Sequence, residues 1–186
     1  MGFDAICRDI KSLKIQGAIN VAKSGADALF DYSKKMKAKD ALDSLDLLKK
    51  ASETLVATRA TEPALRNMVS FFIDDLPADS LKNFNREIER RHKAIKAHFD
   101  DAEKKIIEYG ARKIKPGSIV FTHCHSSTVC NILKEAKRRG ITFEVHNTET
   151  RPLYQGRKTA IELVKAGISV THYVDSAARH ALKKSD

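Results

Sequence analysis

Five consecutive residues, His123, Cys124, His125, Ser126 and Ser127, bring one thiol, two imidazoles and two hydroxyls together. They follow an apolar, β-branched run and precede a helix-forming segment, so they are predicted to lie where a strand turns into a helix. A serine at such a turn can cap the helix, and the free N–H groups of its first turn can bind a phosphate. The partial positive charge of that helix end also stabilises a thiolate, the reactive form of cysteine. The turn therefore suits phosphate binding and thiol chemistry.

A purely structural interpretation of the same residues stays open. Cys124 can be a small buried apolar residue, and the two serines can be ordinary helix caps. Cys130 is predicted to lie in the core, since it shares the apolar face of the helix with Leu133. No metal site is expected, because adjacent strand residues point to opposite faces and the segment has no CxxC or HxxxH pair.

The elements that position this turn begin at Lys115, where the sequence pattern changes. Three short β-branched runs alternate with two helical segments from there to the end of the sequence. This βαβαβ order predicts a parallel sheet with right-handed crossovers, the first half of an open α/β domain over residues 115–186. A further strand is expected after Asp186, which suggests that the sequence is a fragment of a longer protein.

Ligands of such sheets bind beyond the carboxyl ends of the strands. Residues 123–127, 148–156 and 175–179 follow the three predicted strands and are expected to meet at one edge. In the second of these segments Glu149 and Arg151 can pair with each other. Asp175, which follows the third strand, is expected at this edge, and a role only as a cap of the next helix is the alternative.

Residues 1–114 carry a helical pattern of apolar residues and predict an all-helical N-terminal domain. A helix is expected to begin after Gly17, and Pro63 suits the first turn of another, with Thr61 as its cap. Arg59, which precedes that helix, has no obvious partner nearby and is expected to be solvated or paired at the surface. One apolar stripe is predicted from Leu42, Leu45, Leu48, Leu55 and Val56.

The net charge of +10 is concentrated in the C-terminal part of the chain, where residues 111–186 contain 14 Lys and Arg against 6 Asp and Glu. Such a positive field attracts a phosphorylated small molecule, an acidic protein surface or nucleic acid. The basic residues lack interleaved aromatic residues and a known binding motif, which argues against nucleic acid.

Three scattered cysteines, Cys7, Cys124 and Cys130, form no disulfide pattern and favour a reducing compartment. The sequence has no apolar stretch long enough to span a membrane and no signal-peptide pattern at its start. A cytoplasmic protein without membrane partners is therefore expected.

Five ordered segments resemble one superfamily: "KIQGAINVAK" (14–23), "TRATEPALRN" (58–67), "THCHSS" (122–127), "TETRPLYQG" (148–156) and "VDSAARH" (174–180). The superfamily joins translation initiation factor 2B regulatory subunits with methylthioribose-1-phosphate isomerase and archaeal ribose-1,5-bisphosphate isomerase. The last two segments are most similar to the ribose-1,5-bisphosphate enzyme. The resemblance implies a helical N-terminal domain followed by a Rossmann-like domain, and homo-oligomers.

The resemblance also implies roles for individual residues. It makes Cys124 the catalytic cysteine of the "THC" motif, acting without a metal or redox cofactor. It assigns substrate binding to residues of three segments: Gln16, Gly17 and Ala18 at the sugar, Arg59 at phosphate or sugar oxygens, and Ser126, Ser127 and Thr128 at a phosphate.

Two departures from the isomerase pattern leave two hypotheses. An aldose–ketose shift needs an acid or base near each reacting carbon and oxygen, and the family's second such group, a "GAD" aspartate, falls after Asp186. Gln16 stands where the isomerases have arginine, which can bind phosphate through two bonds. The first hypothesis is an isomerase that converts ribose 1,5-bisphosphate to ribulose 1,5-bisphosphate. The alternative is a non-catalytic initiation factor 2B-like subunit that binds phosphorylated ligands or translation factors.

Overall fold

The computed structural model describes residues 2–186, which form two compact units that meet in sequence at Asp100 and Asp101. The elements, in chain order, are α1 (Phe3–Lys11), α2 (Ala18–Lys35), α3 (Ala41–Thr58), α4 (Pro63–Ile73), α5 (Leu81–Ala111), β1 (Ile119–Thr122), α6 (Ser127–Arg138), β2 (Glu144–Thr148), α7 (Gln155–Lys165), β3 (Ser169–Tyr173) and α8 (Ala178–Leu182). A 3₁₀ turn, Asp175–Ala177, precedes α8. No helix within residues 2–186 is both long and apolar enough to cross a bilayer.

The first unit is helical, as predicted. Small residues let its helices approach closely: a side chain added at Gly25 of α2 would lie 2.8 Å from the Leu65 side chain of α4. The predicted stripe on α3 is partly wrong, because Leu42 is 63% exposed while Leu48 and Leu55 are fully buried.

The start of α4 is capped differently from the prediction. Pro63 occupies the first turn as expected, but Glu62 and not Thr61 is the N-cap residue, and its side chain makes no capping bond. The prediction failed because a hydroxyl two residues before the proline lies outside the cap position.

The second unit contains a parallel three-stranded sheet in the order β1-β2-β3. β2 is central, and its last four residues are buried although three of them, His146, Asn147 and Thr148, are polar. Buried polar side chains need hydrogen-bond partners, so the carboxyl end of this strand has to be covered by polar groups from neighbouring segments. The α/β fold predicted from the alternating pattern is confirmed.

The contacts place the change of unit inside α5, whereas the sequence pattern places it at residues 114 and 115. Ala111, the last residue of α5, is buried in the core of the second unit. A side chain at Gly110 would collide with Ile132 of α6, at 2.6 Å. Helical periodicity does not reveal the difference, because it continues through α5 whichever core the helix faces.

Candidate active site

The amino end of α6 is built as the sequence predicts. Ser126 is the N-cap residue, and its hydroxyl oxygen accepts the N–H of Val129 at 3.4 Å. The N–H groups of Ser127 and Thr128 belong to the first turn of α6. No carbonyl of the helix lies before them to accept their hydrogen bonds. Ser126 and Ser127 are exposed and Thr128 is half-buried, so these donors face a position that an anion can reach.

Cys124, two residues before this cap, is held in an unusual backbone conformation, with φ of +67°. Its N–H donates to Thr150 Oγ1 at 2.8 Å, and its carbonyl accepts from Thr159 Oγ1 at 3.0 Å. The thiol is half-buried, and Sγ donates to Gln155 Oε1 at 3.2 Å. A sulfur in contact with a polar amide at the carboxyl edge of the sheet does not fit the alternative of a buried apolar residue.

The segment that follows β2 is fixed by Asp175. The carboxylate oxygens of Asp175 accept the N–H groups of Arg151 and Thr150, each at 2.8 Å. These bonds, the one from Arg151 first, hold the pKa of Asp175 below its usual value. The alternative role as a helix cap is wrong, because the 3₁₀ turn begins after Val174 without a side-chain cap.

Glu149 pairs with Arg157 at 3.5 Å, so the prediction of a pair with Arg151 is wrong. The guanidinium of Arg151 lies 5.8 Å from the centre of the Tyr154 ring. The backbone reverses between Glu149 and Arg157, with Thr150 and Tyr154 both at positive φ.

Two of the buried polar residues of β2, Asn147 and Thr148, have hydrogen-bond partners at this same edge, whereas Nδ1 of His146 has none among residues 2–186. Asn147 donates to the carbonyl of Gly156 at 2.9 Å, and its Oδ1 lies 2.6 Å from Nδ1 of His172. Thr148 Oγ1 lies 2.5 Å from Nδ1 of His123. The three segments after the strands therefore meet at one edge, as expected from the βαβαβ pattern.

Two titratable groups next to the turn, His125 and Cys130, have shifted pKa values. Burial is the main reason that the pKa of His125 is lowered and that of the Cys130 thiol is raised. Cys130 is fully buried, as predicted. His125 Nδ1 lies 3.0 Å from Thr159 Oγ1.

The remaining predicted site residues belong to the first unit. Gly17 is the N-cap of α2 at φ of +85°, a conformation that favours glycine. Gln16 and Ala18 beside it are exposed, and the amide of Gln16 donates to the carbonyl of Leu13. This turn presents backbone and one amide to solvent.

Arg59 follows α3 and is half-buried. Its Nε lies 3.9 Å from a carboxylate oxygen of Glu62. Its Nη1 is buried and has no hydrogen-bond partner among residues 2–186. The pairing expected from the sequence is present as the contact with Glu62, and the buried Nη1 is a guanidinium donor that this contact does not use.

The three side chains that touch Cys124, namely Thr150, Gln155 and Thr159, were not among the residues to which the sequence assigned a role. Thr150 and Gln155 lie in the "TETRPLYQG" segment, which was expected at this edge. Their position after a parallel strand was the available signal. Which of these polar side chains reaches the thiol depends on the left-handed turn at Cys124, which sequence does not reveal.

Replacing Asp175 with asparagine is expected to loosen the segment after β2. Asparagine offers one uncharged side-chain oxygen, whereas the carboxylate offers two charged oxygens, one for each N–H group. The amide hydrogens of Thr150 and Arg151 should then exchange several-fold faster in NMR-detected hydrogen exchange. In the parent, the pKa of Asp175 is lowered on folding, so its stabilising contribution is present above about pH 4. It should be lost as the pH falls through the lowered value.

Asp101→Asn is the matched control, since Asp101 also lies in the second unit and pairs at the surface with Lys105. Unchanged exchange at Thr150 and Arg151 in Asp175→Asn would contradict this positioning role.

Comparison with known proteins places the chain among proteins of related sequence and fold. The profile of the initiation factor 2 subunit family matches residues 14–186. Ribose 1,5-bisphosphate isomerase of Pyrococcus furiosus is 36% identical over 97% of this chain and 57% of its own length. The enzyme of the same name from Thermococcus kodakarensis is 35% identical over 97% of this chain and 58% of its own length. This chain therefore spans somewhat more than half the length of these relatives.

Among solved structures, translation initiation factor eIF-2B of Pyrococcus horikoshii OT3 superposes with a TM-score of 0.81. It is 28% identical, and the match covers 94% of this chain and 60% of that chain. The fold and the resemblance predicted from the five segments are thereby confirmed. The chain belongs to the initiation factor 2 subunit family.

Proposed function

We propose that this chain carries the reactive thiol and the phosphate-binding turn of an isomerase that converts ribose 1,5-bisphosphate to ribulose 1,5-bisphosphate. The observation that supports this most is the placement of Cys124. Its half-buried thiol lies at the carboxyl edge of a parallel sheet, bonded to Gln155, directly before the capped amino end of α6. The relatives named ribose 1,5-bisphosphate isomerase support the choice of substrate.

One phosphate of the substrate is assigned to the amino end of α6. The exposed hydroxyls of Ser126 and Ser127 and the free N–H groups of the first turn are donors suited to an anion. Arg59 in the first unit, with its unpartnered Nη1, is assigned to phosphate or sugar oxygens. The turn at Gln16, Gly17 and Ala18 is assigned to the sugar.

The reaction consists of four proton transfers, two losses and two gains, and needs no oxidant. The bond between C1 and the ring oxygen breaks, C2 loses its hydrogen, and an enol forms between C1 and C2. C1 then gains a proton, and O2 loses its proton to become the ketone oxygen, while the former ring oxygen ends as a hydroxyl. Cys124 is assigned one of the transfers at carbon, since a thiol can both donate and accept a proton near neutral pH. The second acid–base transfer is not assigned to any of residues 2–186.

A non-catalytic regulatory subunit is the second candidate. One observation favours it: Gln16 stands where arginine is expected in an isomerase, and its amide already donates to the Leu13 carbonyl. A phosphorylated ligand would then bind at the same turns without being converted, as in a subunit that senses ligands or binds translation factors.

Turnover separates the two candidates. The complete natural polypeptide that contains this chain is incubated with ribose 1,5-bisphosphate, and ribulose 1,5-bisphosphate is followed by ¹³C NMR. Steady conversion is expected. Tight binding of ribose 1,5-bisphosphate without conversion would overturn the isomerase and support the regulatory subunit.

Arg59→Gln is expected to raise KM by about 10- to 100-fold, since a hydrogen bond to a charged group contributes about 1.5–3 kcal/mol. kcat should change less, because the residue is assigned to binding and not to proton transfer. Steady-state kinetics of the same polypeptide measure both constants. Arg86→Gln, at an exposed position of α5, is the control and should leave KM unchanged. A KM for Arg59→Gln equal to the parent value would remove Arg59 from the site.

A further inference from the structure

The second unit contains a cluster of three metal-ligating side chains behind the turn that carries Cys124. One ring nitrogen of His125, Cys130 Sγ and a carboxylate oxygen of Glu162 all lie within 4.8 Å of one another. We propose that His125, Cys130 and Glu162 form a binding site for a divalent transition-metal ion, with Zn²⁺ as the best match.

The three side chains come from elements whose positions are already fixed. His125 lies in the turn before α6, Cys130 lies in the first turns of α6 and faces the core, and Glu162 lies on α7. A bond of 2.6 Å from Lys134 of α6 to Oε1 of Glu162 joins the two helices beside the cluster. Ligands on packed helices need little rearrangement to bind an ion.

The spacing matches a tetrahedral ion. Zn–N bonds of about 2.0 Å and Zn–S bonds of about 2.3 Å place the nitrogen and sulfur roughly 3.5 Å apart. His125 Nδ1 and Cys130 Sγ are 4.0 Å apart, so small side-chain rotations close the site. One sulfur, one nitrogen and one oxygen leave a fourth position for water, as in zinc sites with an open coordination position.

The donor set selects the class of metal. A thiolate and an imidazole favour Zn²⁺ or Co²⁺ over Mg²⁺ and Ca²⁺, which bind oxygen ligands. The thiol of Cys130 releases its proton to solvent on binding. Coordination through Nδ1 of His125 requires the imidazole proton on Nε2, so the ion replaces the hydrogen bond between Nδ1 and Thr159 Oγ1. Lys134, which donates to Oε1 of Glu162, opposes the ion by its charge.

Residues 123–130 alone do not indicate the metal site. Within that segment the spacing is wrong for zinc, and the third ligand atom belongs to the next helix. The alternation of strands and helices places α6 beside α7, but it does not specify which residues of the two helices face each other.

The site is separate from the thiol proposed for isomerisation. Cys124 Sγ is bonded to Gln155 and is not one of the three clustered ligands, and Thr159 contacts both His125 and the Cys124 carbonyl. A bound ion would therefore brace the turn at Cys124 without coordinating its sulfur.

Cobalt absorption tests the proposal without any measurement of activity. The 186-residue chain, freed of metal with a chelator, is titrated with Co²⁺. We expect one equivalent to give a thiolate-to-cobalt charge-transfer band and the visible bands of a tetrahedral ion, which Zn²⁺ then removes. Cys130→Ser should lose the charge-transfer band, and Glu162→Gln and His125→Asn should each weaken binding at least tenfold.

Cys124→Ser and Cys7→Ala are the matched cysteine controls and should keep the band. Circular dichroism checks that each variant is folded. If Cys130→Ser does not fold, Zn²⁺ should still raise the melting temperature of the parent and raise it less in Glu162→Gln, whose side chain is partly exposed. Absence of the band in the parent, its persistence in folded Cys130→Ser, or its loss in Cys124→Ser would each overturn the proposal.

Discussion

Replacing Cys124 with serine is expected to lower kcat by about 10²- to 10⁴-fold, the usual contribution of a positioned acid–base group. A serine hydroxyl is far less acidic than a thiol, so it cannot move a proton to and from carbon at neutral pH. The bonds of residue 124 to Thr150 and Thr159 come from its backbone and survive the change. KM should therefore stay close to the parent value.

The measurement is steady-state conversion of ribose 1,5-bisphosphate by the complete natural polypeptide. Cys7→Ala is the control, because Cys7 is a buried cysteine of α1 in the first unit and should be silent in catalysis. Alkylation provides an independent readout: Cys124 should react before the buried Cys7 and Cys130, and the bisphosphate should protect it. A Cys124→Ser enzyme with kcat within threefold of the parent would remove the thiol from the mechanism, whatever the variant binds.

The part of the site that sequence could predict is the part governed by local rules. A cap at Ser126 or Ser127 was predicted because a short hydroxyl side chain at the start of a helix bonds the third N–H that follows, and the structure selects Ser126. The meeting of the three segments was predicted because parallel strands end at the same edge. Both predictions need only the order of strands and helices.

The contacts to Cys124 could not be predicted, because they depend on backbone turns that several residue types can adopt. The positive φ of Cys124 directs its N–H towards Thr150 and its sulfur towards Gln155. A cap was the alternative role of Asp175 from its position before a helix, yet its carboxylate faces two N–H groups of the preceding connection. A short polar side chain can either cap a helix or accept N–H groups of a neighbouring connection. The path of the backbone decides which of the two it does.

Gly156 shows how closely that path is constrained, and its replacement by alanine is the second change from which a large effect is expected. Gly156 is buried at the start of α7, where its N–H donates to the Glu149 carbonyl and its own carbonyl accepts from Asn147. An added Cβ would lie 1.7 Å from the carbonyl oxygen of Thr148 and 2.8 Å from the carbonyl carbon. Both atoms are backbone at the end of the central strand and cannot rotate away.

The helix start must therefore separate from β2 in Gly156→Ala, and the expected loss of stability is about 3 kcal/mol or more, at the upper end for overpacking. Gly140→Ala is the matched control in the same unit. It has φ of +82° but nothing within 4 Å of an added Cβ, so it should lose only the roughly 1–2 kcal/mol of a left-handed alanine. Urea-dependent hydrogen exchange of amides in the second unit measures both losses.

Because Gln155 precedes Gly156, the bond from Cys124 Sγ to Gln155 should break with the same displacement, and turnover should fall in any Gly156→Ala protein that still folds. A loss smaller than that of Gly140→Ala would mean that α7 does not approach the end of β2 as closely as the structure shows.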